Sequence, residues 1–75
     1  MIEPIHVASS LLAWVAYFED HRLQLGFRSG EVYEYFDVPE DIYCALLAAE
    51  SKGRYFNQYM RNIFPTQRIK SRAAT

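Results

Sequence analysis

Several residue types are scarce in this chain of 75 residues, which has one cysteine, three glycines, three prolines and two histidines. The single Cys44 excludes an internal disulfide, and neither His6 nor His21 has a ligand-like spacing to it, so we predict no metal site. Gly53 is alone, so a glycine-rich phosphate loop is excluded. No apolar run reaches the roughly 20 residues that cross a bilayer. These absences predict a soluble cytoplasmic protein without cofactor or metal.

Acidic residues are absent after Ser51, although the whole chain is nearly neutral at a net charge of −1. Residues 1–51 hold every Asp and Glu, whereas six cations follow Ser51: Lys52, Arg54, Arg61, Arg68, Lys70 and Arg72. Tyr55, Phe56 and Tyr59 lie between Arg54 and Arg61 in the sequence. A cationic surface that carries aromatic rings suits the backbone and bases of nucleic acids, so the charge division is the main indication of a partner.

A chain of this length supports one domain with one small core. Leu23, Leu25 and Phe27 alternate with polar or small residues at the period of a half-buried strand. Polar residues 19–22 and the Ser29-Gly30 pair predict two hairpin turns that separate this strand from the apolar run 11–18 and from residues 32–36. We therefore predict a three-stranded antiparallel β-meander.

Two helices are expected after the meander. Residues 37–41 resemble a helix start with a capping acid, an early proline and acidic residues in the first turn. Ser51 is the predicted N-cap of the second helix, which Pro65 should end. Its expected apolar stripe comprises Tyr55, Phe56, Tyr59, Met60 and Ile63. The predicted fold is α+β, with both helices packed on one face of the sheet.

Three segments resemble the KTSC domain family of small bacterial domains, which also occur at the C-terminus of some lysyl-tRNA synthetases. They are residues 27–30, residues 32–39 with the sequence Val-Tyr-Glu-Tyr-Phe-Asp-Val-Pro, and residues 51–57 with the sequence Ser-Lys-Gly-Arg-Tyr-Phe-Asn. The resemblance covers roughly residues 9–61 and implies a compact αβ unit of about sixty residues, for which RNA binding is the usual suggestion. We expect one KTSC-like domain over residues 1–65 and a basic, flexible tail over residues 66–75.

The predicted nucleic-acid contacts lie in three places. Lys52, Gly53 and Arg54 stand at the expected start of the second helix, where free amides and two cations would attract a phosphate, although the glycine would also suit a sharp turn. Arg54 and Arg61 should line one helix face together with Asn57 and Gln58, and a solvated outer face without function is the alternative. Two tyrosines, Tyr33 and Tyr35, project from one strand face and would either stack on bases or belong to the core. Tail contacts would come from Arg68, Lys70 and Arg72.

No arrangement of nucleophile, base and acid is evident, so we predict a noncatalytic protein. The leading hypothesis is a module that binds RNA or another single-stranded nucleic acid. The alternative is a protein-interaction module, in which the acidic part of one molecule meets the basic part of another copy or of a partner, or the apolar first strand pairs with a partner's sheet edge.

Overall fold

The computed structural model describes residues 4–70 and confirms an α+β fold with two helices and an antiparallel sheet. The sheet has five strands in the order β1-β2-β3-β4-β5. In chain order the elements are β1 (Ile5–His6), β2 (Leu12–Tyr17), β3 (Leu23–Phe27), β4 (Val32–Tyr35), α1 (Glu40–Ala48), α2 (Lys52–Tyr59) and β5 (Thr66–Lys70). The prediction of three strands was therefore wrong, because β1 and β5 extend the meander at its two ends.

Both predicted hairpin turns are present. In the first, His21 adopts a left-handed conformation with φ of 66°, and the amide of Phe18 donates to the carbonyl of Arg22 over 2.9 Å. In the second, Gly30 has φ of 100°, which a residue without Cβ adopts readily. These turns set the register in which Leu25 faces Tyr33 and Leu23 faces Tyr35.

The core forms where one face of the sheet meets the two helices. Cross-strand partners share a face, so Val15, Leu25 and Tyr33 project to the same side of the sheet. The buried cluster on this side contains Leu12, Val15, Leu23, Leu25, Tyr35, Val38, Leu46, Phe56 and Met60. Since Leu46 belongs to α1 and Phe56 to α2, both helices contribute to this cluster.

The helix starts agree with the sequence in part. The hydroxyl of Ser51 accepts a hydrogen bond from the amide of Arg54 at 3.3 Å, which confirms the predicted cap of α2. The N-cap of α1 is Pro39, without a side-chain cap, so the prediction of a capping acid was wrong. Asp37 instead has φ of 59° and lies in the turn before the helix.

The second helix ends at Tyr59, earlier than the predicted end at Pro65. Asn62 takes a left-handed conformation with φ of 61°, which turns the chain back toward the sheet. Ile63 consequently leaves the expected apolar stripe and is 60% exposed.

Residues 66–70 form a strand, although the sequence indicated a flexible tail. All five residues of β5 are exposed, and the strand pairs antiparallel with β4, with Thr66 opposite Tyr35 and Arg68 opposite Tyr33. Arg72, the last predicted tail contact, lies outside the described residues. Across residues 4–70, neither helix has the length and apolar character needed to cross a bilayer.

Candidate nucleic-acid interface

A groove of about 540 Å³ lies between the end of α2, the β3–β4 hairpin and the strands β4 and β5. We call it the α2–β5 groove. Its aromatic and apolar lining consists of Leu11, Phe27, Tyr33, Tyr35 and Phe56. Its polar lining consists of Ser29, Glu31, Asn57, Arg61, Asn62, Thr66 and Arg68. Five of the residues predicted from sequence therefore meet in one concavity: Tyr33, Tyr35, Asn57, Arg61 and Arg68.

The aromatic lining is a connected set of edge-to-face ring pairs. Tyr33 meets Phe27 with 5.7 Å between ring centroids, Phe27 meets Phe56 at 5.4 Å, and Phe56 meets Tyr35 at 5.8 Å. Such pairs add about 0.5–1.5 kcal/mol each to the burial of the rings. The apolar wall of the groove is therefore continuous with the core through Tyr35 and Phe56.

The two tyrosines of β4 have different environments. Tyr35 is 5% exposed and belongs to the core, whereas Tyr33 is only partly buried. Burial raises the pKa of the Tyr35 phenol to about 12; the nearby Tyr33 adds to this shift, while Arg61 and Thr66 oppose it. The sequence left stacking and core roles open for both rings. Of the two rings, only that of Tyr33 is exposed enough to stack on a base.

Two arginines supply the positive charge of the groove. Arg61 follows the end of α2, and its guanidinium lies 3.4 Å from Oδ1 of Asn57. Arg68 stands on β5 directly opposite Tyr33. Within residues 4–70 every ion pair shorter than 4.0 Å involves Arg22, so neither groove arginine forms an ion pair with a described carboxylate.

Two residues of the predicted anion site at the start of α2 make contacts within the protein. The ammonium of Lys52 donates to the carbonyl of Ala49 at 3.1 Å, at the C-terminal end of α1, where a positive charge stabilises the helix. A Cβ at Gly53 would lie 3.3 Å from Cβ of Leu11, so this glycine permits close packing. These contacts account for both residues without a ligand.

Arg54 and Gln58 do not share a surface with Arg61. They line a separate, more open depression of about 250 Å³, together with Glu50, Tyr55 and Tyr59. Because α2 ends before Arg61, the four residues of the expected strip divide between the two depressions, with Asn57 and Arg61 in the α2–β5 groove. Lys70 is also separate, because it pairs with Val32 and shares that residue's face of the sheet, opposite to Tyr33 and Arg68.

Sequence analysis missed the other residues of the groove, which are Leu11, Phe27, Ser29, Glu31, Phe56, Asn62 and Thr66. One signal was present for Glu31, which alternates with Tyr33 and Tyr35 and so extends the same face of the strand. Asn62 had no comparable signal, because its position depends on the early end of α2.

The described residues contain no group of three or more histidine, cysteine or acidic side chains that could hold a metal ion. The thiol of Cys44 is exposed and free. Since each buried side-chain nitrogen or oxygen among the described residues has a hydrogen-bond partner, none is left to indicate a missing ligand.

Comparison with known proteins agrees with the resemblance seen in the sequence. A family model for the KTSC domain matches residues 8–64. A KTSC domain protein from Yersinia pestis has a similar structure, with a TM-score of 0.89 and 28% identity over 93% of this chain and 100% of that one. Neither match indicates a catalytic role.

Two relatives show where such a domain occurs. A lysine–tRNA ligase of Nostoc punctiforme is 40% identical over 47 residues, which are 63% of this chain but 8% of the ligase. An uncharacterized protein of Stutzerimonas stutzeri is 44% identical over 43 residues, 57% of this chain and 61% of that protein. The chain thus matches only a small part of the ligase, and less than two thirds of the shorter relative.

Proposed function

The chain belongs to the KTSC domain family, and we propose that it is a noncatalytic module that binds single-stranded nucleic acid, above all RNA, in the α2–β5 groove. The observation that carries the proposal is one groove lined by Arg61, Arg68 and the partly buried ring of Tyr33, in which neither arginine forms an ion pair with a described carboxylate. Phosphates pair with guanidinium groups and bases stack on aromatic rings, so the two features together suit one segment of a single strand.

Two further considerations favour RNA. The related segment in Nostoc punctiforme is part of an enzyme that, by its name, acts on a tRNA. The groove is also concave and short, which suits unstacked bases of loops or single strands better than the regular surface of a duplex. We place this activity in the cytoplasm, where the exposed thiol of Cys44 would remain reduced.

The structure refines which cations should matter. Arg61 and Arg68 line the groove, whereas Arg54 lines the other depression and Lys52 contacts the end of α1. We therefore assign phosphate contacts to Arg61 and Arg68, and polar contacts to Asn57. Arg54 and Lys70 would add only to the general positive potential, and Gln58, which is uncharged and lines the other depression, is assigned no contact.

A titration of labelled single-stranded RNA at two salt concentrations tests the proposal. We expect binding at low salt that weakens as salt rises, and the double variant Arg61→Ala/Arg68→Ala should bind more weakly with a slope of log K against log salt smaller by about 0.7 for each arginine lost. Arg54→Ala is the matched control and should stay close to the wild type. Absence of binding at low salt, or a double variant that binds like the wild type, would overturn the proposal.

A protein-interaction surface is the second candidate, and the exposed edge of the sheet favours it. β5 is the last strand of the sheet and all its residues are exposed, so its outer amides and carbonyls are accessible to an added strand. The version in which the apolar first strand offers its edge has less support, because β1 already pairs with Trp14 and Val15 of β2. Sedimentation at high protein concentration tests whether the chain associates with itself. A strictly monomeric profile would rule out self-association.

A further inference from the structure

Glu31 is the one acidic residue in the lining of the α2–β5 groove. It is partly buried, and its Oε1 accepts a hydrogen bond from the hydroxyl of Ser29 at 3.2 Å. A carboxylate would repel the phosphates of a nucleic acid, so its presence in the same groove as Arg61 and Arg68 weakens purely electrostatic binding. The Glu31 carboxylate can strengthen binding only of a ligand that presents hydrogen-bond donors to it and keeps its negative charge elsewhere.

The order of groups along β4 shows where such donors would lie. Tyr33 and Tyr35 alternate along β4, and Glu31 precedes the strand in the same alternation, with its carbonyl accepting from the amide of Phe27, so the three follow one face with Glu31 at the hairpin end. Arg68 stands opposite Tyr33, and Thr66 opposite Tyr35. Arg61 lines the same groove, and its positive charge opposes the rise in the pKa of the Tyr35 phenol, so we place Arg61 nearer to Tyr35 than to Glu31.

The groove thus has a carboxylate at one end, an aromatic ring in the middle and an arginine at the far end. A nucleotide has the same sequence of chemical groups, which are the hydrogen-bonding edge of the base, the face of the base and the phosphate. With the base against Tyr33 and the phosphate toward Arg61, the base edge points to Glu31. The bond from Ser29 holds one carboxylate oxygen and leaves lone pairs on both oxygens for a ligand.

The carboxylate distinguishes among the four bases. Guanine carries two adjacent donors on its Watson–Crick edge, N1–H and the N2 amino group, which a single carboxylate accepts together. Adenine, cytosine and uracil each place a ring or carbonyl acceptor beside their donor, and that acceptor would face the negative oxygen. We propose, building on the proposed function, that the α2–β5 groove is a guanine-selective nucleotide site in which Glu31 reads the base edge.

Competition among short oligoribonucleotides tests the selectivity. The probes are four fluorescein-labelled hexamers: hexauridylate, and the three hexamers in which one central uridine is replaced by guanosine, adenosine or cytidine. Fluorescence anisotropy at low salt measures the affinity of each. The wild type should bind the guanosine hexamer about tenfold more tightly than the adenosine hexamer, as expected of one bidentate contact to a base. Glu31→Gln and Glu31→Ala should reduce this ratio to less than about twofold, and hexauridylate should bind them at least as tightly as it binds the wild type.

Glu19→Gln is the matched control, because it removes one negative charge from an exposed position in the first hairpin, outside the groove lining. It should keep the preference for guanosine. Equal binding of all four hexamers by the wild type would overturn the guanine assignment while leaving the groove as a nonselective site. A preference that persists in both Glu31 variants would show that another group reads the base. If no hexamer binds even at low salt, the proposed function fails together with this inference.

Discussion

The indole of Trp14 lies over Gly26 of the neighbouring strand, so closely that a Cβ at position 26 would lie 2.0 Å from Nε1 of the ring. The two residues are paired across β2 and β3. A large ring that covers a glycine on an adjacent strand shields its backbone from water and fixes the register of the pair. The face of the sheet opposite the helices therefore has a specific packing contact of its own.

Substitution of Gly26 by alanine should consequently destabilise the fold. The indole would have to move, and overpacking of this kind costs about 1–3 kcal/mol in the free energy of unfolding. Trp14 is the single tryptophan, so urea unfolding followed by its fluorescence reports both the stability and the displacement of the ring.

Gly53→Ala is the matched control for Gly26→Ala. Its added methyl would meet Leu11 at 3.3 Å, while alanine in place of glycine within a helix gains about 1 kcal/mol. We expect this variant to stay within about 1 kcal/mol of the wild type. Equal stability of the two alanine variants would contradict the importance of the Trp14–Gly26 contact.

Amide hydrogen exchange should distinguish β5 from a flexible tail. Amides of residues 66–70 that face β4 should exchange more slowly than those that face solvent, because only the first group is hydrogen-bonded in the sheet. Two-dimensional NMR after transfer to deuterated water measures the rates. Uniformly fast exchange over Thr66–Lys70 would show that the strand is not formed.

Strand β5, which the sequence did not predict, shows which parts of this fold are determined by residues close together in the sequence. The alternation of Leu23, Leu25 and Phe27 and the cap at Ser51 depend on neighbouring residues, and the structure confirms both. The pairing of β5 is different, because Thr66 meets a partner as distant in sequence as Tyr35, and the strand has only Ile69 as an apolar residue. Local periodicity carries no information about such a contact.

The same reasoning applies to the candidate site. Tyr33, Asn57, Arg61 and Arg68 were each predicted from residue type, but the groove that unites them forms only because α2 ends at Tyr59 and the chain returns along β4. Lys52 and Gly53 were more conspicuous as a motif. Lys52 contacts Ala49 and Gly53 packs closely against Leu11, so this motif helps to hold the junction between the two helices together.

Alkaline pH should weaken the fold through Tyr35. The pKa of its phenol is raised from 10.0 to about 12, chiefly by burial, so the folded state holds the proton where the unfolded chain releases it. The stabilisation is therefore complete below pH 10 and is lost as the pH rises from about 10 to 12. Urea unfolding at pH 9 and pH 11 should show a smaller loss of stability for Tyr35→Phe than for the wild type.

Tyr59→Phe provides the comparison for this pH effect, since Tyr59 is 47% exposed. Its stability should fall between the two pH values as much as that of the wild type. If Tyr35→Phe also falls by the full amount, the buried phenol is not the group that titrates.

The ring of Tyr33 should contribute to RNA binding by stacking. Base stacking on an aromatic side chain is worth about 1–3 kcal/mol, so Tyr33→Leu should weaken binding of a single-stranded hexamer by about five- to 150-fold. Tyr33→Phe keeps the ring and its edge-to-face contact with Phe27, and should bind within about twofold of the wild type. Tyr59→Leu removes an exposed ring from the other depression and should leave affinity unchanged, which separates a contact in the α2–β5 groove from a general loss of aromatic surface. Fluorescence anisotropy gives the affinities, and thermal unfolding shows whether each variant is folded at the temperature of the assay. A folded Tyr33→Leu protein with wild-type affinity would place the bases elsewhere and leave the arginines as the sole contribution of the groove.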